Sequence, residues 1–521
     1  MTSTSVYAPT AMVASADHLA TRAGLGVLAN GGNAVDAALA ANAVIAITSP
    51  HLCGMGGDLF ALVHHKPGPP DVLNASGRAG SGADPDRLRS QGWTHMPLHG
   101  DIRTVTTPGC VDGWVALHTK FGTIPLADLW KPAIDYADRG FPASPLLCAA
   151  VKVLPTTDRW AQELLEQARQ PGDLVRRPGL ARALEAIIEH GRQGFYQGEF
   201  GVGLVAMSDG YFTDLDLTIS NADWVRPLGV EVWDRFIWTV PPNSQGYLTL
   251  SGSWIAERLA LPDPSDGQWA HLTIEAAKVA GHDRPDVLNE HASGSFLLDP
   301  TELAARANRV DPYFAAALPS NSADGDTTYL CVVDGAGMGV SLIQSNAAGF
   351  GSHLFEPATG INLHNRGLGF SLTKNHPSEY RPGRRPPHTL APALATHLNG
   401  DLSAVFGTMG GDAQPQILLQ LAARLFRHGQ HPAQAIGAPR WTLRGPSTGF
   451  DTWTSGQPAI VELEVSAPAS WREALVAAGH RVVENPHGSA FGHAHAIVVD
   501  PRGVLVGAAD PRCRTGAAHG F

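Results

Sequence analysis

Residues 318–346 read LPSNSADGDTTYLCVVDGAGMGVSLIQSN. The first nine, 318–326, are small, polar and turn-forming, so they predict an exposed loop. TTYLCVVD then predicts a strand, DGAG at 334–337 a tight turn, and MGVSLIQSN a second strand. Two threonines at the head of a strand are ordinary β formers, and composition asks nothing more of them. The chemistry allows a sharper reading. A threonine hydroxyl is a poor nucleophile unless a base lies beside it. If the threonine is itself a chain terminus, its own α-amine (pKa about 8) supplies that base. An internal threonine becomes a terminus when its hydroxyl attacks the preceding carbonyl, the acyl group moves from N to O, and the ester is hydrolysed. That needs a Thr, Ser or Cys at the first position of a strand, preceded by a loop able to strain the peptide. The junction Asp326–Thr327 after SNSADG has this form.

On the N-terminal side, residues 17–30 predict a helix stopped by Gly31-Gly32, and Asn33 predicts the N-cap of a second helix, AVDAALAANAVIAIT. That second helix is apolar nearly all round and is expected to be buried. HLCGMGGD at 51–58 is a glycine-rich loop, followed by alternating strands at 58–65 and 71–76 around KPGPP. Helical patterns recur at 126–139, 180–190, 245–259, 269–279 and 300–309. On the C-terminal side come a strand at 402–406, a helix at 415–428 and strands at 494–500 and 503–507. Helices at both ends with strands between them point to a layered α/β or α+β sandwich.

The composition narrows the classes. The 521 residues suffice for a large core, and 44% hydrophobic with only 16% charged excludes a charged disordered chain or coiled coil. Lys+Arg 37 against Asp+Glu 48 gives a net charge of −11, so no global basic field attracts nucleic acid or anionic lipid. Five dispersed cysteines without a CxxC pair fit a reducing compartment. The N-terminal stretch has no basic segment followed by an apolar one, so no secretory signal is expected. The most apolar stretch, 34–48, is too short to span a bilayer. A soluble cytoplasmic protein is the expectation.

Several motifs are weighed and set aside. GLGVLA (Gly24, Gly26, Ala29) matches GxGxxA, but a helix-like segment precedes it where a dinucleotide fingerprint needs a strand. No GxxxxGK[ST], GxSxG or HExxH occurs. His493 and His495 stand at strand spacing near His487, with no Cys or Glu to complete a zinc set.

The chain resembles the γ-glutamyltransferase family of N-terminal-nucleophile hydrolases nearly end to end. The resemblance rests on GLGVLANGGNAVDAALAANAVIAITSPHLCGMGGDLF, on Pro241-Pro242-Asn243-Ser244-Gln245-Gly246, on DTTYLCVVD, on GTMGGDAQPQ and on the tail GAADPRCRTGAAHGF, in that order. It implies an α+β fold, a four-layer αββα sandwich. It also implies cleavage at Asp326–Thr327 into a large segment, 1–326, and a small one, 327–521, that remain associated. Thr327 matches the nucleophile. Ser345 matches a second hydroxyl that pairs with it. Gly410 and Gly411 match the oxyanion glycines, where two backbone N–H groups reach the tetrahedral oxygen unobstructed by a Cβ. Without the resemblance that glycine pair reads equally as a strand-to-helix turn.

Departures from the family pattern bear on substrate. The family's acceptors for a glutamyl α-amine fall on Ala347, Arg366 and Gly369, so all three are missing and one is a cation. The family's carboxylate-binding arginine aligns with Ser76, and Arg78 lies one strand period on. A serine pair becomes His388-Thr389. These changes imply a pocket for an acid without an α-amine. Arg366 and Arg78 are candidate carboxylate forks, with a structural ion pair the alternative for each. The pattern is similar to the branch of the family that includes oxamate amidohydrolase, with glutaryl-type acylases as neighbours. The expected activity is cleavage of a small-molecule amide with no metal or organic cofactor. A γ-glutamyl hydrolase or transpeptidase (glutathione hydrolase) and an uncleaved inactive binding protein are the alternatives.

Overall fold

A computed structural model describes residues 4–318, 326–444, 459–486 and 488–521. Most of the loop expected at 318–326, namely 319–325, and His487 lie outside the described residues.

Two seven-stranded sheets face one another. One runs Ala517–Gly520, Met12–Ser15, Asp326–Val333, Gly339–Ala347, Asp58–His64, Asp71–Ala75, Asp223–Val225. The other runs Val6–Ala8, Leu505–Ala509, Ala494–Val499, Leu402–Thr408, Ala393–His397, Arg235–Thr239, Leu228–Val232. Neighbouring strands within each sheet are antiparallel. Residues on both sides of position 326 contribute strands to both sheets, so the chain forms one composite sandwich.

Strand alternation builds the layers. Tyr329, Cys331, Val333, Phe60, Leu62, Val405 and Ile497 fill the space between the sheets. Their neighbours Leu330, Val332, Leu59, Ala61 and Val63 point outward. There they meet the helices His18–Ala29 and Ala34–Thr48. On the far side Ala393, Ala395, Ala404 and Phe406 pack under the helices Tyr247–Glu257, Gly267–Gly281 and Gln414–Ala422. Helix, sheet, sheet, helix is the expected αββα order.

Helix Ala34–Thr48 has the expected limits. Asn33 caps it, Asp36 completes a reciprocal capping box, and all its residues are buried. Gly24 and Gly26 sit inside the helix His18–Ala29 rather than in a turn before one, so GLGVLA is not a phosphate loop. The helix expected at 415–428 is α-helical over Gln414–Ala422 and widens to a π-turn at Ala423–Arg427. A third sheet, Trp441–Arg444, Ile460–Glu464 and Arg481–Asn485, was not foreseen. Its edges lie far apart in the chain and include a parallel pair that no hairpin signal announces. The five cysteines are buried and unpaired. Among the described residues no helix is long and apolar enough to cross a membrane.

Candidate active site

The strand Asp326–Val333 does not begin in regular register. Asp326 pairs with Ala347 and Thr328 with Gln344, so two residues of the partner strand, Ser345 and Asn346, bulge opposite the single residue Thr327. Bulges re-aim a side chain and interrupt the ladder. Ala347, opposite Asp326, has φ +76°, a left-handed conformation costly for a residue with a Cβ. Thr327 is buried, and its Oγ1 donates to Ser345 Oγ at 3.1 Å.

Ser345 is held in turn. Its Oγ accepts from the backbone N–H of Ala347 (2.8 Å) and from Arg366 Nη2 (3.2 Å). Arg366 Nη1 donates to Thr389 Oγ1 at 2.9 Å. Arg366 is only 1% exposed. Burial pulls its pKa down to about 10, with Asp58 and Asp412 opposing, so the guanidinium stays charged at neutral pH. The glycine-rich loop explains how this packs so closely. A Cβ on Gly57 would lie 2.4 Å from the Ser345 carbonyl oxygen.

Asp58 opens the strand next to Ser345, with which it is in register. Its carboxylate accepts from His388 Nε2 (3.0 Å), the N–H of Gly77 (3.0 Å) and the N–H of Gly109 (3.2 Å). Burial pushes this carboxyl up, but the facing His364, His388 and Arg366 prevail and it ends below its ordinary value. His388 Nδ1 accepts the N–H of Leu390, so its proton sits on Nε2. Burial first, and then Arg366, lowers the His388 pKa to about 3, so the ring is neutral and orients Asp58.

Gly410 (φ +138°) and Gly411 (φ +53°) form a left-handed turn at the end of strand Leu402–Thr408. Gln245 Nε2 donates to the carbonyls of both Gly411 and Thr389, each at 3.0 Å. A continuous hydrogen-bonded path therefore runs from Thr327 through Ser345, Arg366, Thr389 and Gln245 to the glycine turn. Asp412 follows the turn and accepts from Arg284 Nη2 at 3.2 Å.

Of the residues singled out from sequence, Thr327, Ser345, Arg366, His388, Thr389 and Gly411 thus share one site. Arg78 is not in that path. Its guanidinium lies against Glu290 (3.5 Å) and Asp223 (3.7 Å), and Nη1 donates to the Gly383 carbonyl. The sequence reading missed Asp58, Gln245 and Arg284. Asp58 had a signal, an acid set in glycines at the head of an apolar strand. Gln245 stood in the PPNSQG block, and Arg284 had none. A cavity of 440 Å³ adjoins the site, with Thr389, Gly369 and Arg284 in its wall. A separate 720 Å³ groove between His18–Ala29 and Leu126–Arg139 contains no residue of the path.

Two facing sheets between helical layers, with this buried hydroxyl network at the head of a central strand, define the class as an N-terminal-nucleophile hydrolase. Residues 20–520 match the family model Gamma-glutamyltranspeptidase. The chain belongs to the gamma-glutamyltranspeptidase family and is an amidohydrolase of that class. It is 34% identical to the glutathione hydrolase-like YwrD proenzyme of Bacillus subtilis, covering 99% of each chain. It is 35% identical to the oxamate amidohydrolase proenzyme of Klebsiella pneumoniae, covering 98% of each. The crystal structure of cephalosporin acylase from Bacillus halodurans superimposes with a TM-score of 0.90 at 32% identity, over 99% of this chain and 97% of that one.

Proposed function

We propose that the chain cleaves itself between Asp326 and Thr327 and then hydrolyses the amide bond of a small, carboxylate-bearing substrate. The observation that carries this reading is the 3.1 Å hydrogen bond from Thr327 Oγ1 to Ser345 Oγ, where the partner strand bulges opposite the strand start. In the first step Thr327 Oγ attacks the Asp326 carbonyl carbon, the C–N bond breaks, and an ester replaces the amide. Water hydrolyses that ester, leaving an Asp326 carboxylate and a free Thr327 amine. Segments 1–326 and 327–521 stay together because each sheet is built from both.

In turnover, Thr327 Oγ attacks the substrate carbonyl and its amine takes the hydroxyl proton. The N–H groups of Gly410 and Gly411 stabilise the oxyanion. The amine passes the proton to the leaving group, and water resolves the acyl-enzyme. Ser345, fixed by Arg366, orients the nucleophile. Five unpaired cysteines suit a reducing, cytoplasmic setting. The oxamate amidohydrolase relative supports a small-acid donor, and the acylase relative supports acyl-amide cleavage. Ala347 and Gly369 offer no acceptor side chain to an α-amine.

A denaturing gel tests processing. The wild type is expected as two fragments and Thr327→Ala as one. Turnover of oxamate, a glutaryl amide and a γ-glutamyl anilide then ranks donors. Efficient γ-glutamyl hydrolysis that depends on the donor's α-amine would instead make this a glutathione-type hydrolase.

A further inference from the structure

The cavity beside Thr389 has one cationic side chain in its wall that nothing above uses. Arg284 is 91% buried (9% side-chain exposure), and its Nη2 is bonded to Asp412. Its Nε–H is buried without a hydrogen-bond partner. That Nε–H is sealed inside the protein, so the donor left for an acceptor in the cavity is Nη1, for which no partner is found among the described residues. The rest of the wall restricts what that acceptor belongs to. Met96, Leu288 and Phe370 are buried and apolar, Asp286 is exposed, and the remaining polar lining, His95, His376 and Ser378 among it, holds no lysine or second arginine. A guanidinium beside hydrocarbon suits a carboxylate on an alkyl or aryl chain.

The other two arginines are committed elsewhere. Arg366 uses both Nη atoms on hydroxyls and is absent from the cavity wall. Arg78 lies against Glu290 and Asp223. Arg284 is also tied, through Asp412, to the residue that follows the Gly410–Gly411 turn. A carboxylate held on Arg284 is therefore set at a constant distance from the oxyanion site.

We propose that Arg284 is the residue that selects the substrate, anchoring the donor's carboxylate while its hydrocarbon part lies on Met96, Leu288 and Phe370. This rests on the amidohydrolase reading above, but its test does not need turnover. Glutarate and its neutral isostere glutaramide are titrated calorimetrically into the full chain, as wild type, Arg284→Met and Arg284→Lys. Glutarate is expected to bind the wild type, and Arg284→Met to weaken it about 10- to 100-fold. Glutaramide affinity should shift less than about threefold, with Arg284→Lys intermediate for glutarate. Equal glutarate affinity in wild type and Arg284→Met overturns the proposal. So does a parallel loss for glutaramide, or no glutarate binding by wild type. Absence of self-cleavage, or of hydrolysis of every amide donor, with Arg284-dependent glutarate binding intact, would instead remove the catalytic reading and leave the anchor standing.

Discussion

Replacing Arg366 with Met separates two roles that one guanidinium can play. In the structure its two Nη atoms contact Thr389 Oγ1 at 2.9 Å and Ser345 Oγ at 3.2 Å. Hydrogen bonds to a charged donor contribute about 1.5–3 kcal/mol each. Only the one to Ser345 bears on the nucleophile, so losing it should slow the chemical step about 10- to 150-fold. Stability falls as well. Arg366 is 1% exposed and faces the field of Asp58 and Asp412, and breaking a buried charge arrangement costs about 3–5 kcal/mol. Against a total of about 5–15 kcal/mol that is large. The assay therefore runs well below the melting temperature, with circular dichroism fixing the folded fraction and a gel fixing the processed fraction. Per processed molecule, kcat for a glutaryl amide should drop by the stated factor and KM should move less than about threefold. A tenfold rise in KM with kcat preserved would refute this. It would mean that Arg366 holds the substrate, the role its position in the sequence first implied.

Three further outcomes follow from the same geometry. Ser345→Ala should slow self-cleavage about 2- to 10-fold, as for one neutral hydrogen bond, and Ser345→Thr should restore most of it; gel time courses read both. Asp58→Asn should lower the unfolding free energy by about 3 kcal/mol in urea melts, because Asn cannot accept from His388 and two backbone N–H groups as a carboxylate does; a loss under about 1 kcal/mol would contradict the network. Acid should destabilise the fold early. Burial lowers His51, His388 and His495 to about 3 and His493 to about 4, against 6.5 when unfolded. The unfolded chain then binds more protons between those values, so stability rises with pH there and is lost as pH falls from about 6.5. Each such histidine contributes about 1.4 kcal/mol per pH unit, and an unchanged melting temperature between about pH 7 and 5 would exclude the effect.

Much of the molecule was legible one residue at a time. The Asn33 cap, the unbroken apolar helix and the strand–turn–strand after position 326 are local signals, because propensity, capping and period act over a few residues. Thr327, Ser345 and Gly410–Gly411 stood out through blocks of sequence that resemble the family in order, and the structure joins the first two by a hydrogen bond. The roles of the charged residues were not legible. Arg78 and Arg366 looked equivalent in the chain, yet one meets two carboxylates near the surface and the other is sealed against two hydroxyls. Arg284 carried no mark at all, and Asp58 showed its place only when the strand Asp58–His64 paired beside Ser345. A charge has no periodicity. What it does depends on which opposite charge and how much water the folded chain leaves beside it, and here those neighbours come from segments up to 330 positions away. The amino-acid order determined the layers and the hydroxyl at the head of the strand. Only the tertiary structure decided which cation bonds the neighbouring Ser345 hydroxyl and which one lines the open cavity, since electrostatic partners are set by distance in space rather than along the chain.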